Sequence, residues 1–346
     1  MLRIGLLFIP LFFFHITSAQ IQVGERTGMK DALLLADPIK SDDLERFKNT
    51  TTIFTVPDKD SVDITIYKEQ IGKIWTISKF EVVPIKSLNT YLYKPGYSFG
   101  TMAALGYSVT HMATGRGGTV STDRSSTGAN LCEYVYEIWM PSKSMPDKYS
   151  ERLVLGRVML MYSVDVFFKT DAYKGTYDNV PFNNGVLTSL YEPQAFRNWG
   201  YGFLKGYLKT INDLLLANKT VFYKESPVED DKAINALKSD TLYIPDYVNN
   251  LRQAEETVQD HEDDKAEKDG NNDYQFKIKF VPTATLNKMI AASEKPFYYL
   301  VLHFGASGKY VDVYNSSGKM IYQDYNIPMS FKFKQRDIKK ISKSIQ

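Results

Sequence analysis

Residues 79–92, KFEVVPIKSLNTYL, and residues 277–290, KIKFVPTATLNKMI, carry Lys, Val-Pro and Leu-Asn at identical internal spacing, 198 positions apart. Upstream of each lies a short β-prone run ending in Pro-Asp: TTIFTVPD at 51–58 and DTLYIPD at 240–246. The two landmarks keep their order. Pro57 to Pro84 spans 27 positions and Pro245 to Pro282 spans 37, and the polar stretch EETVQDHEDDKAEKDGNND at 255–273 accommodates the difference. This order predicts two related units.

Each unit reads physically as strand, proline stop and helix start. Phe80-Glu81-Val82 and Ile278-Lys279-Phe280 alternate apolar and charged side chains, the period of a half-buried strand. Proline cannot donate to a ladder, so the strand ends there. Ser87 and Thr285 stand at an N-cap position, and Leu88, Tyr91 and Leu92, or Leu286, Met289 and Ile290, follow at the spacing of one helical face. A strand and a helix precede each unit, the helices around 61–74 and 246–258. Strands follow it: 97–110, 131–140 and 151–168 in the first unit, and 296–304, 309–315 and 319–325 in the second. Gly305–Gly308 and Ser316–Gly318 supply tight turns, so the second set forms an antiparallel meander. Helices at 195–218 and 335–345 close the two units. The predicted fold class is mixed α/β (α+β): two related modules, each a mixed sheet with an antiparallel meander and flanking helices.

The predicted domains are a signal peptide at 1–19, a lead segment at 20–50, module 1 at 51–225, and module 2 at 226–346 with the acidic loop 255–273. The leader rests on MLRIGLLFIPLFFFHITSAQ: Arg3, an apolar run too short to span a bilayer, then Thr17-Ser18-Ala19 as small residues before a cleavage site. Cleavage between Ala19 and Gln20 implies a periplasmic or extracellular protein. Its loss removes Arg3 and leaves 41 basic against 40 acidic residues. That balance excludes a general nucleic-acid or anionic-membrane binder, and no later segment reads as a membrane span. Cys132 is the sole cysteine, so no internal disulfide forms. Its neighbours suggest a thiol in a sheet.

The element order resembles the thioredoxin-like arrangement, but the Cys-x-x-Cys of that family is absent and no redox activity is implied. LKSDTLYIPDY (237–247) and the aromatic meander closing on KISKSI resemble uncharacterised exported proteins of Gram-negative bacteria, a likeness that implies no activity.

Chemical signatures are sparse. HMATGRGGTVSTDRSSTGAN (111–130) concentrates glycines with Arg116 and Arg124, which suit an anion, but it matches neither phosphate-binding glycine motif. His111, His261 and His303 form no metal-ligand spacing. The acidic stretch fails as an EF-hand: with Gly270 as the invariant glycine, Lys265 and Phe276 occupy ligand positions. There is no G-x-S-x-G elbow. No metal or cofactor is expected. Among 24 Tyr, 20 Phe and 3 Trp, the cluster YEPQAFRNWGYGF (191–203) is dense. In one reading Tyr191, Trp199 and Tyr201 form a stacking platform; in the other Phe196, Trp199, Tyr201 and Phe203 anchor their helix on the sheet. The expectation is an exported, non-enzymatic binding protein for a protein, small-molecule or carbohydrate ligand, contacted through Arg116, Arg124, Tyr191, Trp199 and Tyr201. Two alternatives stay open: a hydrolase with its site between the modules, and a structural component of an envelope assembly.

Overall fold

The computed structural model describes residues 21–25, 37–58, 61–92, 94–108, 130–142, 152–162, 189–192, 195–221, 230–248, 275–305, 308–326, 333 and 335–345. The chain forms two mixed sheets with helices on their faces. In the first, β2 (Thr51–Val56) lies between β3 (Lys79–Pro84) and β4 (Tyr97–Ser108), parallel to both. β5 (Asn130–Pro141) and β6 (Arg152–Leu160) continue from β4 as an antiparallel meander, and β1 (Ile21–Val23) pairs antiparallel with β6. The order is β1-β6-β5-β4-β2-β3. In the second sheet, β7 (Thr241–Pro245) lies between β8 (Lys277–Val281) and β9 (Tyr298–Gly305), again parallel to both. β10 (Gly308–Asn315) and β11 (Met320–Asn326) complete an antiparallel meander, and the order is β11-β10-β9-β7-β8.

Strands β2 to β6 and β7 to β11 therefore have the same order and the same directions. Val83 and Val281 both lie on the outer parallel strand, as the repeated passage requires. Val83 stands opposite Thr55, two residues before Pro57, whereas Val281 stands opposite Pro245 itself. A two-residue offset preserves which side chains face the core, because the side-chain period of a strand is two. The segment 20–50 contributes β1 to the first sheet, and α1 (Ser41–Lys48) buries Leu44 and Phe47.

The repeated prolines and aspartates have a shared structural task. Pro84 and Pro282 occupy the N-cap positions of a 3-10 turn (Ile85–Ser87) and of α6 (Thr283–Ala292), with no side-chain cap of their own. The cap comes from the turn that follows the neighbouring strand. Asp58 Oδ1 accepts a hydrogen bond from the Lys86 N–H at 3.0 Å, and Asp246 Oδ1 accepts from the Thr283 N–H at 3.1 Å and its hydroxyl at 2.7 Å. Ser87 and Thr285 are thus not the caps that their spacing suggests. A carboxylate after the proline reaches the helix start across the parallel pair, where the free N–H groups and the dipole favour it.

Helices α2 (Ser61–Gly72) and α3 (Asn89–Leu92) belong to the first sheet, and α5 (Asp231–Ile234) leads into β7. α4 (Tyr201–Leu216) joins the two sheets, and its buried arc runs almost all round. Phe203 and Tyr207 set their rings against Tyr299 and Tyr314 of the second sheet, at 5.9 and 6.2 Å, while Ile211 meets Gly156 of β6. The helix starts later than its periodicity predicts because Gly200, at φ 147°, holds a non-helical conformation open to glycine alone. Asn287 of α6 caps it there: its Oδ1 accepts from the N–H groups of Gly202 (3.2 Å) and Phe203 (3.3 Å). At the other end Asn212 Oδ1 accepts from the N–H groups of Thr76 (2.8 Å) and Ile77 (3.1 Å). A continuous apolar core follows this helix from one sheet to the other.

On the far face of the second sheet, α7 (Gln335–Ser344) and Ile345 beyond it bury Ile338, Ile341 and Ile345 against residues including Leu300, Leu302, Val311 and Val313. The side chains of Lys309 and Asp337 join them as a fully buried ion pair at 2.6 Å. Burial pulls the Lys309 ammonium below its ordinary range, and the Asp337 charge opposes that fall. Among the described residues no helix is long and apolar enough to cross a membrane.

Candidate functional site: the ends of the central strands

In an open α/β sheet, ligands enter the crevice beyond the carboxyl ends of the strands, where successive connections leave in opposite directions. Both sheets have such a place. β2 connects to β3 on one side, and the chain then crosses to β4 on the other; β7, β8 and β9 repeat the pattern. In each case the third strand outruns the first. The β2–β4 pairing stops at Phe54 opposite Gly100 while β4 runs on to Ser108, and the β7–β9 pairing stops at Tyr243 opposite Tyr299 while β9 runs on to Gly305. The overrun exposes backbone groups that lack a strand partner.

A tyrosine fills each crevice. Tyr191 is 4% exposed, and its hydroxyl accepts from the Met102 N–H at 2.8 Å. It also bonds to Thr55 Oγ1. Thr55 commits its own proton to the Gly100 carbonyl at 2.8 Å, so Tyr191 is the donor in that contact. In the second sheet Tyr247, on the helical turn after β7, does more with one group. Its hydroxyl accepts from the Leu302 N–H at 3.1 Å and donates to the Leu302 carbonyl at 3.0 Å, in place of a neighbouring strand. Burial raises the pKa of both phenols, so they stay neutral and able to donate and accept together.

Around Tyr191 the packing is aromatic. Tyr136, fully buried on β5, carries the Trp199 ring against it at 5.0 Å with the planes 39° apart. Burial first, and then the neighbouring Tyr191 and Tyr67, push the Tyr136 hydroxyl well up. Tyr201 meets Tyr67 edge-on at 5.8 Å. The expected platform is thus divided: Tyr191 lies in the core, while Trp199 and Tyr201 are half-buried at the start of α4. Arg116 and Arg124 lie outside the described residues, as does most of the glycine-rich segment. The sequence reading did not find Tyr247, although a Tyr directly after Pro-Asp at the end of a strand shorter than its neighbour is the available signal.

Little supports acid–base or metal chemistry in the described residues. His303 is 1% exposed, and neither ring nitrogen has a hydrogen-bond partner. Burial pushes its imidazole down to about 3, so it stands neutral. Cys132 lies on β5 opposite Gly106. His111, His261 and the acidic stretch 255–273 lie outside the described residues. No group of three His, Cys, Asp or Glu residues is disposed around an ion among the described residues. No protein family, no curated protein and no solved structure matches the chain.

Proposed function

We propose that the protein is an exported, non-enzymatic binding protein that meets its partner on its surface rather than in a sheet-end crevice. The observation that carries this reading is the pair of tyrosines: the two places where such sheets admit a small ligand are occupied by the chain's own side chains. Export is supported by the leader-like order of Arg3, a short apolar run and Thr17-Ser18-Ala19 ahead of Gln20. The contact surface we assign is the segment bearing Arg116 and Arg124 together with the half-buried Trp199 and Tyr201.

The test uses the protein secreted from its own cells. Its intact mass should begin at Gln20, and a photo-crosslinking residue at position 201 should give a discrete adduct that Arg116→Ala and Arg124→Ala weaken. The homogeneous protein should turn over no member of a panel of esters, glycosides and peptides. Turnover abolished by a single substitution would sink the reading.

A further inference from the structure

The two sheets meet along a seam whose polar groups are only half accounted for. On the first sheet, Ala103, Val135 and Met159 stand side by side across β4, β5 and β6 and pack against Tyr310 of β10, with Tyr325 beside it. One step along the same face runs a polar row, Thr101, Glu137, Arg157 and Gln22, again in cross-strand register. On the second sheet, Tyr310 lies opposite His303 and Tyr325, and one step along, Asp312 lies opposite Gln323. Polar rows on both sheets therefore flank the aromatic contact, and all of these polar residues are at most 2% exposed.

Part of this layer is satisfied within the protein. Glu137 Oε1 accepts from Arg157 Nε at 2.7 Å and pairs with its Nη2 at 2.6 Å, while Glu137 Oε2 forms an ion pair, without hydrogen-bond geometry, with Arg152 Nη1 at 3.0 Å. Thr101 Oγ1 accepts from the Trp139 indole at 2.9 Å. The remainder is not. Both side-chain polar atoms of Gln22, both of Gln323 and both ring nitrogens of His303 are buried without a protein partner. Orphan groups of this kind are rare in folded proteins, because each forfeits its hydration with nothing in return. Here they recur on one seam, among side chains that neighbouring strands hold in place.

We propose that the seam is an internal hydration site, in which ordered water molecules bridge His303, Gln323 and Gln22 between the sheets. Two carboxamides and a neutral imidazole carry no charge and offer donors and acceptors together, beside the Asp312 carboxylate in the same row. A ligand that bridges His303, Gln323 and Gln22 must therefore be small and able to donate and accept at once, as water is. Internal waters of this kind make about three hydrogen bonds each and occur roughly once per 27 residues, so a chain of this length is expected to hold several. The wet layer would explain how polar rows face each other inside the molecule without direct pairing.

The sign of a stability change tests the proposal. In His303→Phe and in Gln323→Met the ring or chain volume is kept while the polar atoms go. If water bridges these groups, each replacement strands that water's other partners, and the melting temperature falls by a few degrees (~2–4 °C). If the groups are dry, each replacement removes an unmet polar group, and the melting temperature rises. A rise in both variants overturns the proposal. Because a fall alone could reflect misfit, the second measurement is a crystal structure of the unaltered protein at a resolution that shows ordered water. Density peaks within hydrogen-bond distance of a His303 nitrogen and of the Gln323 carboxamide support it, and their absence in well-ordered density refutes it whatever the melting data say.

Discussion

Replacing Tyr191 by Phe isolates the part of the crevice argument that matters, the hydroxyl. The ring stays buried and the cavity stays filled, so area and packing terms cancel to first order. What changes is hydrogen bonding. The Met102 N–H, bonded at 2.8 Å, loses its acceptor inside the core. Thr55 Oγ1 loses an incoming donor but keeps its own bond to Gly100, and a carbonyl or hydroxyl with one unused lone pair is tolerated better than an unmet N–H. One orphaned buried donor costs about 1–3 kcal/mol, offset in part because the phenol no longer has to be desolvated. The expected net loss is about 1–2 kcal/mol. Tyr247→Phe should cost more, about 2–3 kcal/mol, because one hydroxyl serves both the N–H and the carbonyl of Leu302.

Equilibrium unfolding in guanidinium, with the slope held common between variants, reads both differences directly. The ordering is as informative as the size. If Tyr191→Phe and Tyr247→Phe both leave stability within about 0.3 kcal/mol of the parent, the hydroxyls are not meeting an otherwise unmet backbone need. The crevices would then be filled by packing alone, and the case for a surface partner would lose its main support.

Three further outcomes follow from other contacts. Asp337→Leu removes the carboxylate paired with the buried Lys309 ammonium and should cost about 3–5 kcal/mol, whereas Lys309→Met with Asp337→Leu should cost far less than the sum of the singles; additive losses in a double-mutant cycle would show that the 2.6 Å pair carries no coupling. Gly202→Ala would put a Cβ 2.6 Å from the Asn287 carbonyl, so melting should shift downward despite alanine's advantage of about 1 kcal/mol inside a helix; a stabilised variant would mean that α4 and α6 are not locked at that point. His303 binds its proton only near pH 3 in the fold against an ordinary 6.5, so the unfolded chain takes up that proton first as pH falls. Its contribution to stability is therefore intact above about pH 6.5 and drains away towards pH 3 at up to about 1.4 kcal/mol per unit, and His303→Phe should flatten that acid limb; identical slopes between pH 6 and 4 would contradict the buried neutral imidazole.

The strands and their stops were legible because they are governed by local chemistry. Alternation in KFEVVP and KIKFV, the donor that proline lacks, and the glycine turns of the meander each act within a few residues, and the sheets follow them. Where the reading failed, a partner distant in sequence had taken over. Ser87 and Thr285 have the spacing of caps, yet the caps are Asp58 and Asp246, which reach the helix starts from the turn after the adjacent strand. The 195–218 periodicity ran past Gly200 because no local rule announces that Asn287 will cap α4. Tyr191 was legible as an aromatic among aromatics, but its hydroxyl bonds to residues on β2 and β4, and only the folded register reveals that β4 outruns β2.

The two tyrosines reach equivalent places by unlike routes, and that difference bears on function. Tyr247 comes from the turn that directly follows β7, whereas Tyr191 comes from a separate segment 136 residues beyond its partner Thr55. Nothing in the repeated passage encodes either one. A backbone need that recurs with the overrunning strand is thus met twice, independently, by a side chain that both fills space and completes the hydrogen bonding. Had either crevice been kept for a small ligand, its N–H groups would face an open site, since such groups are what recognise the ligand. In both sheets they face a phenol from the same chain. The proposed recognition surface is therefore placed on what the sheets hold outward, beginning with the half-buried rings at the start of α4.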